Sequence, residues 1–293
     1  MKTLGIDLGG TQIKYGIVEN GSVPESAQCD TPSSRNYTEV LNKIIEISQH
    51  MLKSHPDISH IGLAAPGIID TGAGIIHYSN NFDWHEVPVC ADIQHAVGKK
   101  VKIANDAQCA TLGEALYGAG KGFSRVAMLT VGTGVGGGFI RDGKLETDSY
   151  GSMAYIFGHS VIDFDGRLCS CGRHGCLETY ASAGAITKRL AQTGRGGITV
   201  KEVFELARTG DAAVDEIVRE FLEYLSAGAV NIANILRPHV IIIGGGVSAS
   251  ADLILPVVNK AVQKGVYGFV FAQVKVVQAE LGNNAGIVGA ASL

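Results

Sequence analysis

Cys169, Cys171 and Cys176 fall in one short stretch, Cys169-Ser170-Cys171-Gly172-Arg173-His174-Gly175-Cys176. Three thiolates and one imidazole make a closed tetrahedral zinc site, with His159 or His174 as the fourth ligand, and a closed site of this kind is structural rather than catalytic. Glu178, just past Cys176, is fixed in position by that knuckle. Asn105-Asp106 offers different chemistry. The aspartate can accept a proton from a substrate hydroxyl while the asparagine orients that substrate, or it can simply cap the helix that follows. Asp7-Leu8-Gly9-Gly10-Thr11 suits an anion with a metal. Its glycines let backbone N–H groups approach phosphate, Thr11 can donate to it, and Asp7 can hold Mg²⁺ through water. The bland alternative is an ordinary tight hairpin.

Two further glycine runs carry weaker signals. Gly132-Thr133-Gly134-Val135-Gly136-Gly137 matches a dinucleotide pattern in form, but that pattern requires a helix next, and Phe139-Ile140-Arg141 reads as a strand. A hairpin phosphate clamp with Thr133 and backbone amides as donors fits better. Gly244-Gly245-Gly246 follows a strand and precedes a helix, which lets backbone approach an adenine or ribose, or makes a packing turn.

Composition bounds what these residues can belong to. The 293 residues suffice for one large domain or two ordinary ones, and 46% apolar with 18% charged residues excludes a disordered chain. A net charge of -4 without a Lys/Arg run gives no footprint for nucleic acid. The longest apolar run, at 240–243, is too short to span a bilayer. The N-terminus lacks a signal-peptide layout, so a cytoplasmic protein is expected, with Cys29, Cys90 and Cys109 as ordinary reduced residues.

The elements that must position these groups follow from periodicity. Strands are expected at 4–7, 12–19, 60–65, 101–104, 125–130, 138–141 and 240–243. Helices are expected at 40–53, 107–118, 186–192, 200–207, 212–236 and 251–263. Alternating strands and helices with hairpins predict an α/β protein with mixed sheets. The glycine hairpin recurs in kind at 9–11 and 132–138, which suggests two related sheet domains facing a shared cleft.

Taken in order, the motifs resemble the ROK sugar kinases (repressors, open reading frames and kinases) of the actin-like, hexokinase superfamily. The resemblance runs through Asp7-x-Gly9-Gly10-Thr11, Ala65-Pro66-Gly67-Ile68-Ile69-Asp70, Asn81-x-x-Trp84 and Asn105-Asp106-Ala107. It continues with 129–138, Gly158-His159, the cysteine stretch with Glu178, and Ile243-Gly244-Gly245-Gly246. It implies two actin-like (ribonuclease H-like) ATPase domains, 1–118 completed by a C-terminal helix at 284–293, and 119–283 carrying the zinc knuckle.

The resemblance also implies roles. Asp106 is the general base. Gly67, Asn81, Asn105, Asp106, His159 and Glu178 bind the sugar. Asp7, Gly9, Gly10, Thr11, Thr133, Gly134, Gly245 and Gly246 hold ATP and its Mg²⁺, and His159 joins Cys169, Cys171 and Cys176 on Zn²⁺. A homodimer is implied as well. Some family members are repressors with a helix-turn-helix ahead of the phosphate loop, and none is expected here because that loop begins at Asp7. The expected activity is phosphorylation of a hexose, most simply the 6-OH of glucose. One departure stands out: family kinases usually carry Glu-x-Gly-His, whereas this chain reads Ala154-Tyr155-Ile156-Phe157-Gly158-His159 and is one residue longer there. Losing a charge-assisted hydrogen bond of ~1.5–3 kcal/mol alters sugar selection without touching Asp106. Some N-acetylmannosamine kinases also lack that Glu and carry a Gln where Gln108 stands, so a hexosamine is the alternative substrate, and a non-catalytic sugar sensor the alternative of another class.

Overall fold

Leu4, Ile6 and Leu8 are fully buried along the first strand, and the sheet around them organises the first of two units. The computed structural model describes residues 1–148, 151–152, 155–268 and 273–293. One unit comprises Met1–Gly122, Gly143–Tyr155 and Asn283–Leu293, the other Phe123–Asp142 and Ile156–Gly282. The segment Gly143–Tyr155 thus belongs to the first unit, whereas the division expected from the sequence gives it to the second.

In the first unit the chain runs β1 (Lys2–Leu8), β2 (Gln12–Glu19), β3 (Ser22–Asp30), α1 (Tyr37–Ser54), β4 (Ile61–Ala65), β5 (Ile68–Asp70), β6 (Ile75–Ser79), β7 (Trp84–Val87), α2 (Val89–Val97), β8 (Val101–Asn105) and α3 (Asp106–Tyr117). Its main sheet has the order β3-β2-β1-β4-β8. The β1-β2-β3 meander is antiparallel, while β1, β4 and β8 are parallel. Helix α1 starts on the Asn36 side chain, which accepts the Thr38 N–H, and buries Val40, Ile44, Ile47 and Met51 on one stripe.

The second unit opens with β9 (Arg125–Val131) and β10 (Val135–Arg141), an antiparallel pair. The chain then passes through the two-residue β11 (Lys144–Leu145) of the first unit. In the second unit α4 (Ala183–Gln192), α5 (Val200–Arg208), α6 (Ala212–Leu236), β12 (Val240–Gly244), α7 (Ala251–Gly265) and β13 (Lys275–Gln278) follow. The strands β10-β9-β12-β13 are neighbours in that order, with β9, β12 and β13 parallel. The last helix, α8 (Ala285–Ala291), returns to the first unit. It reads Ala-Gly-Ile-Val-Gly-Ala-Ala because backbone must touch backbone: a Cβ on Gly289 would land on the Cys109 carbonyl, and one on Gly62 would land on that of Ala290. Among the described residues, no helix is long and apolar enough to cross a membrane.

Two expectations, at the second glycine loop and at Asn105, change in detail. The strand after the second glycine loop begins at Val135 rather than residue 138, so Gly136, Gly137 and Gly138 are strand residues. Helix α3 starts at Asp106, and Asn105 is its cap. The small sheet β5-β6-β7, strand β3 and helix α2 had no expectation from the sequence.

Candidate active site

Parallel strands bring their carboxyl ends together, and open α/β sheets bind ligands there. In the first unit Asp7 lies opposite Ala64 and Ala65 opposite Asn105, so the loops after β1, β4 and β8 share one edge. Those loops carry Gly9-Gly10-Thr11, Gly67 and Asp106.

Asn105 resolves the two readings of its neighbour. Its Oδ1 accepts the N–H groups of Ala107 at 3.0 Å and Gln108 at 3.4 Å, and its Nδ2 donates to the Gly67 carbonyl at 3.2 Å. The cap is therefore Asn105, and it ties the start of α3 to the Gly67 turn. Gly67 has φ +128, and a Cβ there would strike the Tyr78 carbonyl, so the position requires glycine. Asp106 accepts the Ala107 N–H at 2.8 Å. Burial pushes its carboxyl above the usual range, against the pull of hydrogen bonds from the Ala107 N–H, its own N–H and the Asn105 side chain. Asp7 is pushed up to about 6, first by burial and then by the Asp106 charge, with Lys14 opposing.

The first glycine loop is tied down by backbone and by Thr31. The Gly9 N–H donates to Gln12 O at 2.9 Å, Thr31 Oγ1 donates to Gly9 O at 2.7 Å, and the Thr31 N–H donates to Thr11 O at 2.9 Å. Thr11 is exposed. Asn81 Nδ2 stands 3.6 Å from where a Cβ on Gly10 would be, which brings Asn81 to this loop.

In the second unit the loop Gly132-Thr133-Gly134 joins β9 to β10, closed by the Gly132 N–H donating to Gly134 O at 2.9 Å. Glu178 Oε2 accepts the Val135 N–H at 2.9 Å, and a Cβ on Gly134 would collide with that carboxylate. Gly244 pairs with Thr130, so the turn at Gly245-Gly246 flanks this loop. Gly245 has φ +81 with the Val131 carbonyl where a Cβ would be, and nothing lies near the corresponding point on Gly246.

His159, Cys169, Cys171 and Cys176 each present one donor atom, and all four lie within 4.8 Å of one another. Cys169 Sγ is 3.5 Å from His159 Nδ1, and Cys171 Sγ is 3.6 Å from Cys176 Sγ. His174 is not the fourth member: its Nδ1 lies 2.9 Å from Gly166 O. Hydrogen bonding from the Arg173 backbone N–H pulls the Cys171 thiol down to about 6, against a burial effect. A soft donor set of three sulfurs and one nitrogen, this closely spaced, fits tetrahedral zinc.

At the departure from Glu-x-Gly-His, Ile156 is half exposed and the Tyr155 hydroxyl donates to Glu146 Oε2 at 2.7 Å, while Ala154 lies outside the described residues. Gln108 Oε1, buried in the first turn of α3, has no hydrogen-bond partner among the described residues. Sequence reasoning missed Arg35, whose guanidinium reaches the Gly10 loop and which no motif flags.

The ROK family profile matches residues 3–293. A glucokinase of Thermotoga maritima is 34% identical over 310 aligned positions, covering 100% of this chain and 97% of that protein. An N-acetylmannosamine kinase of Vibrio cholerae is 33% identical, with 90% of each chain covered. The crystal structure of a ROK family glucokinase from Streptomyces griseus, in complex with glucose and AMPPNP, matches with a TM-score of 0.84 and 32% identity, covering 99% of this chain and 98% of that one.

Proposed function

The chain belongs to the ROK family, and from that membership we propose that it is an ATP-dependent hexose kinase. It moves the γ-phosphoryl group of ATP onto a sugar hydroxyl, the 6-OH of glucose or of a related hexose. Both units have the actin-like α/β fold of the family's hexokinases. One observation carries the reading: Asn105 is the cap of α3 and is tied to the Gly67 turn, and the buried Asp106 carboxyl beside it makes only a local bond, accepting the Ala107 N–H at 2.8 Å.

Asp106 accepts the proton of the attacking hydroxyl, and its raised pKa suits that task. Asn105 and Gly67, joined by their hydrogen bond, orient the sugar, with Asn81, His159 and Glu178 as further contacts. Phosphoryl transfer needs mainly positioning and charge stabilisation, so the amides of Gly9-Gly10-Thr11 and of Thr133-Gly134 hold the phosphates while Gly245 and Gly246 border the adenosine. Asp7 would hold Mg²⁺ through water, and the ion would supply neutralisation of the phosphate charge. His159, Cys169, Cys171 and Cys176 fit a structural Zn²⁺ that fixes the turn carrying His159 and Glu178. A thiol-rich site implies a reducing compartment, which supports a cytoplasmic enzyme. The family resemblance further implies a homodimer, which equilibrium sedimentation tests.

A second reading, an N-acetylmannosamine or other hexosamine kinase, is favoured by two features. Tyr155 or Ile156 stands where the family's kinases carry the sugar-binding Glu, and Gln108, two residues past Asp106, has a buried amide oxygen without a hydrogen-bond partner among the described residues. A coupled ADP-release assay with Mg-ATP against glucose, mannose, allose, fructose, N-acetylmannosamine and N-acetylglucosamine decides. Turnover fastest with glucose supports the first reading, turnover fastest with an N-acetylated sugar supports the second, and silence across the panel means a sugar-sensing protein without kinase activity.

A further inference from the structure

Arg35 stands between β3 and the Asn36 cap of α1, yet its side chain runs back to the first glycine loop. Its backbone is left-handed, φ +53, a conformation that non-glycine residues rarely adopt. Two hydrogen bonds hold it there. The Arg35 N–H donates to Pro32 O at 2.9 Å, and Arg35 O accepts the Trp84 Nε1–H at 2.9 Å. Trp84 is itself locked in the core, stacked on Phe82 at 4.5 Å and edge-on to Tyr37 at 5.2 Å. From this anchored backbone, Nη1 donates to Asn81 O at 3.1 Å. Nη2 lies 4.0 Å from the point a Cβ on Gly10 would occupy, and Asn81 Nδ2 lies 3.6 Å from the same point. A cationic and a neutral donor therefore converge over the loop. No carboxylate pairs with Arg35 among the described residues, so its charge is uncommitted.

The loop's surroundings say what that charge is for. Burial and then the Asp106 charge raise the cost of ionising Asp7. A phosphoryl group brought to Gly9-Gly10-Thr11 adds negative charge beside these carboxylates. A hexose hydroxyl has no need of a cation there, whereas a guanidinium fork matches two phosphoryl oxygens in plane. We propose that Arg35 is a catalytic residue of the phosphoryl transfer, its Nη2 edge contacting the γ-phosphoryl group in transit and stabilising the charge on its equatorial oxygens. This inference rests on the kinase reading above. In the step, the bond from the γ-phosphorus to the β,γ-bridging oxygen breaks, a phosphorus–oxygen bond to the sugar forms, and Asp106 takes the hydroxyl proton. Arg35 gains and loses no atoms.

The test compares wild type, Arg35→Met and Arg35→Lys with Mg-ATP and the sugar that wild type turns over best. Three quantities are read: kcat, the sugar Kd by calorimetry, and inhibition by ADP with aluminium fluoride, a mimic of the group in transit. Arg35→Met is expected to lower kcat about 100-fold, as loss of a transition-state donor does. Its sugar Kd stays within about twofold and its aluminium fluoride inhibition weakens by a similar factor to kcat. Arg35→Lys recovers part of both losses. An active wild type with kcat unchanged in Arg35→Met, a weakened sugar Kd with kcat intact, or equal losses in both variants with a matching fall in Tm would each overturn the inference while leaving the kinase reading standing. A wild type silent with every sugar overturns both.

Discussion

The Val135 backbone N–H donates to the Glu178 carboxylate at 2.9 Å, and this bond fastens the cysteine knuckle to the second glycine loop within one unit. Glu178 lies just past Cys176, and Val135 is the first residue of β10, directly after Thr133-Gly134. A residue assigned to sugar binding thus also shapes the loop assigned to phosphate.

Removing that acceptor leaves the half-enclosed Val135 N–H short of a partner, at ~1–2 kcal/mol. Glu178→Ala is therefore expected to raise the KM for ATP about tenfold and to lower Tm by a few degrees. Gly134→Ala should shift both in the same direction, because its Cβ displaces the same carboxylate. Steady-state kinetics at varied ATP with parallel calorimetry reads both.

Metal analysis should find one Zn²⁺ per chain. Cys171→Ser is expected to lose the metal and His174→Ala to keep it, since His159 and not His174 stands among the thiols. Stripping the wild type with a strong chelator should lower Tm and weaken sugar binding, because the turn that carries His159 loosens. A protein that binds no zinc with its four donors intact would refute the site.

Asp7 gives a pH prediction of definite sign. Its folded pKa is about 6 against 3.8 unfolded, so the folded state binds this proton more tightly. The neutral form is favoured in the fold: stability from this group is present at low pH and lost as pH rises through about 6. At about pH 8 the ionised Asp7 costs up to ~3 kcal/mol. Asp7→Asn should therefore be the more stable protein there, with the gap closing as pH falls below about 6, while losing most of its Mg-ATP-dependent turnover. Calorimetry across that range, paired with ADP release, checks both halves.

Much of the arrangement could be read from residue types alone, and the misses have physical causes. Helix α6 (Ala212–Leu236) has the bounds expected, because a long apolar stripe follows the Asp211 side-chain cap. The four donors proposed for zinc lie together, three of them where the cysteine spacing suggests, but the choice between His159 and His174 needs the fold, since only backbone geometry turns His174 toward Gly166 O. Gly137 misled the reading of β10. Glycine in a strand looks like loop, yet a Cβ there would hit the Met128 carbonyl and the Phe157 ring, so close packing demands it. Strand β3 is an exposed edge with Pro24 and Glu25 and shows no alternation. Arg35 carries no local signal at all; its importance depends on Trp84 and Asn81, both far away in sequence.

Helix α8 is a structural counterpart to these functional variants. Gly289→Ala drives a methyl into the backbone of Cys109, which cannot swing aside as a side chain would. The expected loss is ~3 kcal/mol, visible as a clear drop in Tm with kcat at low temperature little changed.

The most direct test of the account compares Asp106→Asn with wild type for ADP release with Mg-ATP and the preferred hexose, alongside equilibrium sugar binding. Wild type should release ADP, and turnover should fall about 1,000-fold in Asp106→Asn. Sugar affinity should be nearly unchanged and Tm no lower, because Asn105 still caps α3 and still holds Gly67, and no buried carboxylate has to ionise. Turnover in Asp106→Asn within a few-fold of wild type would contradict it.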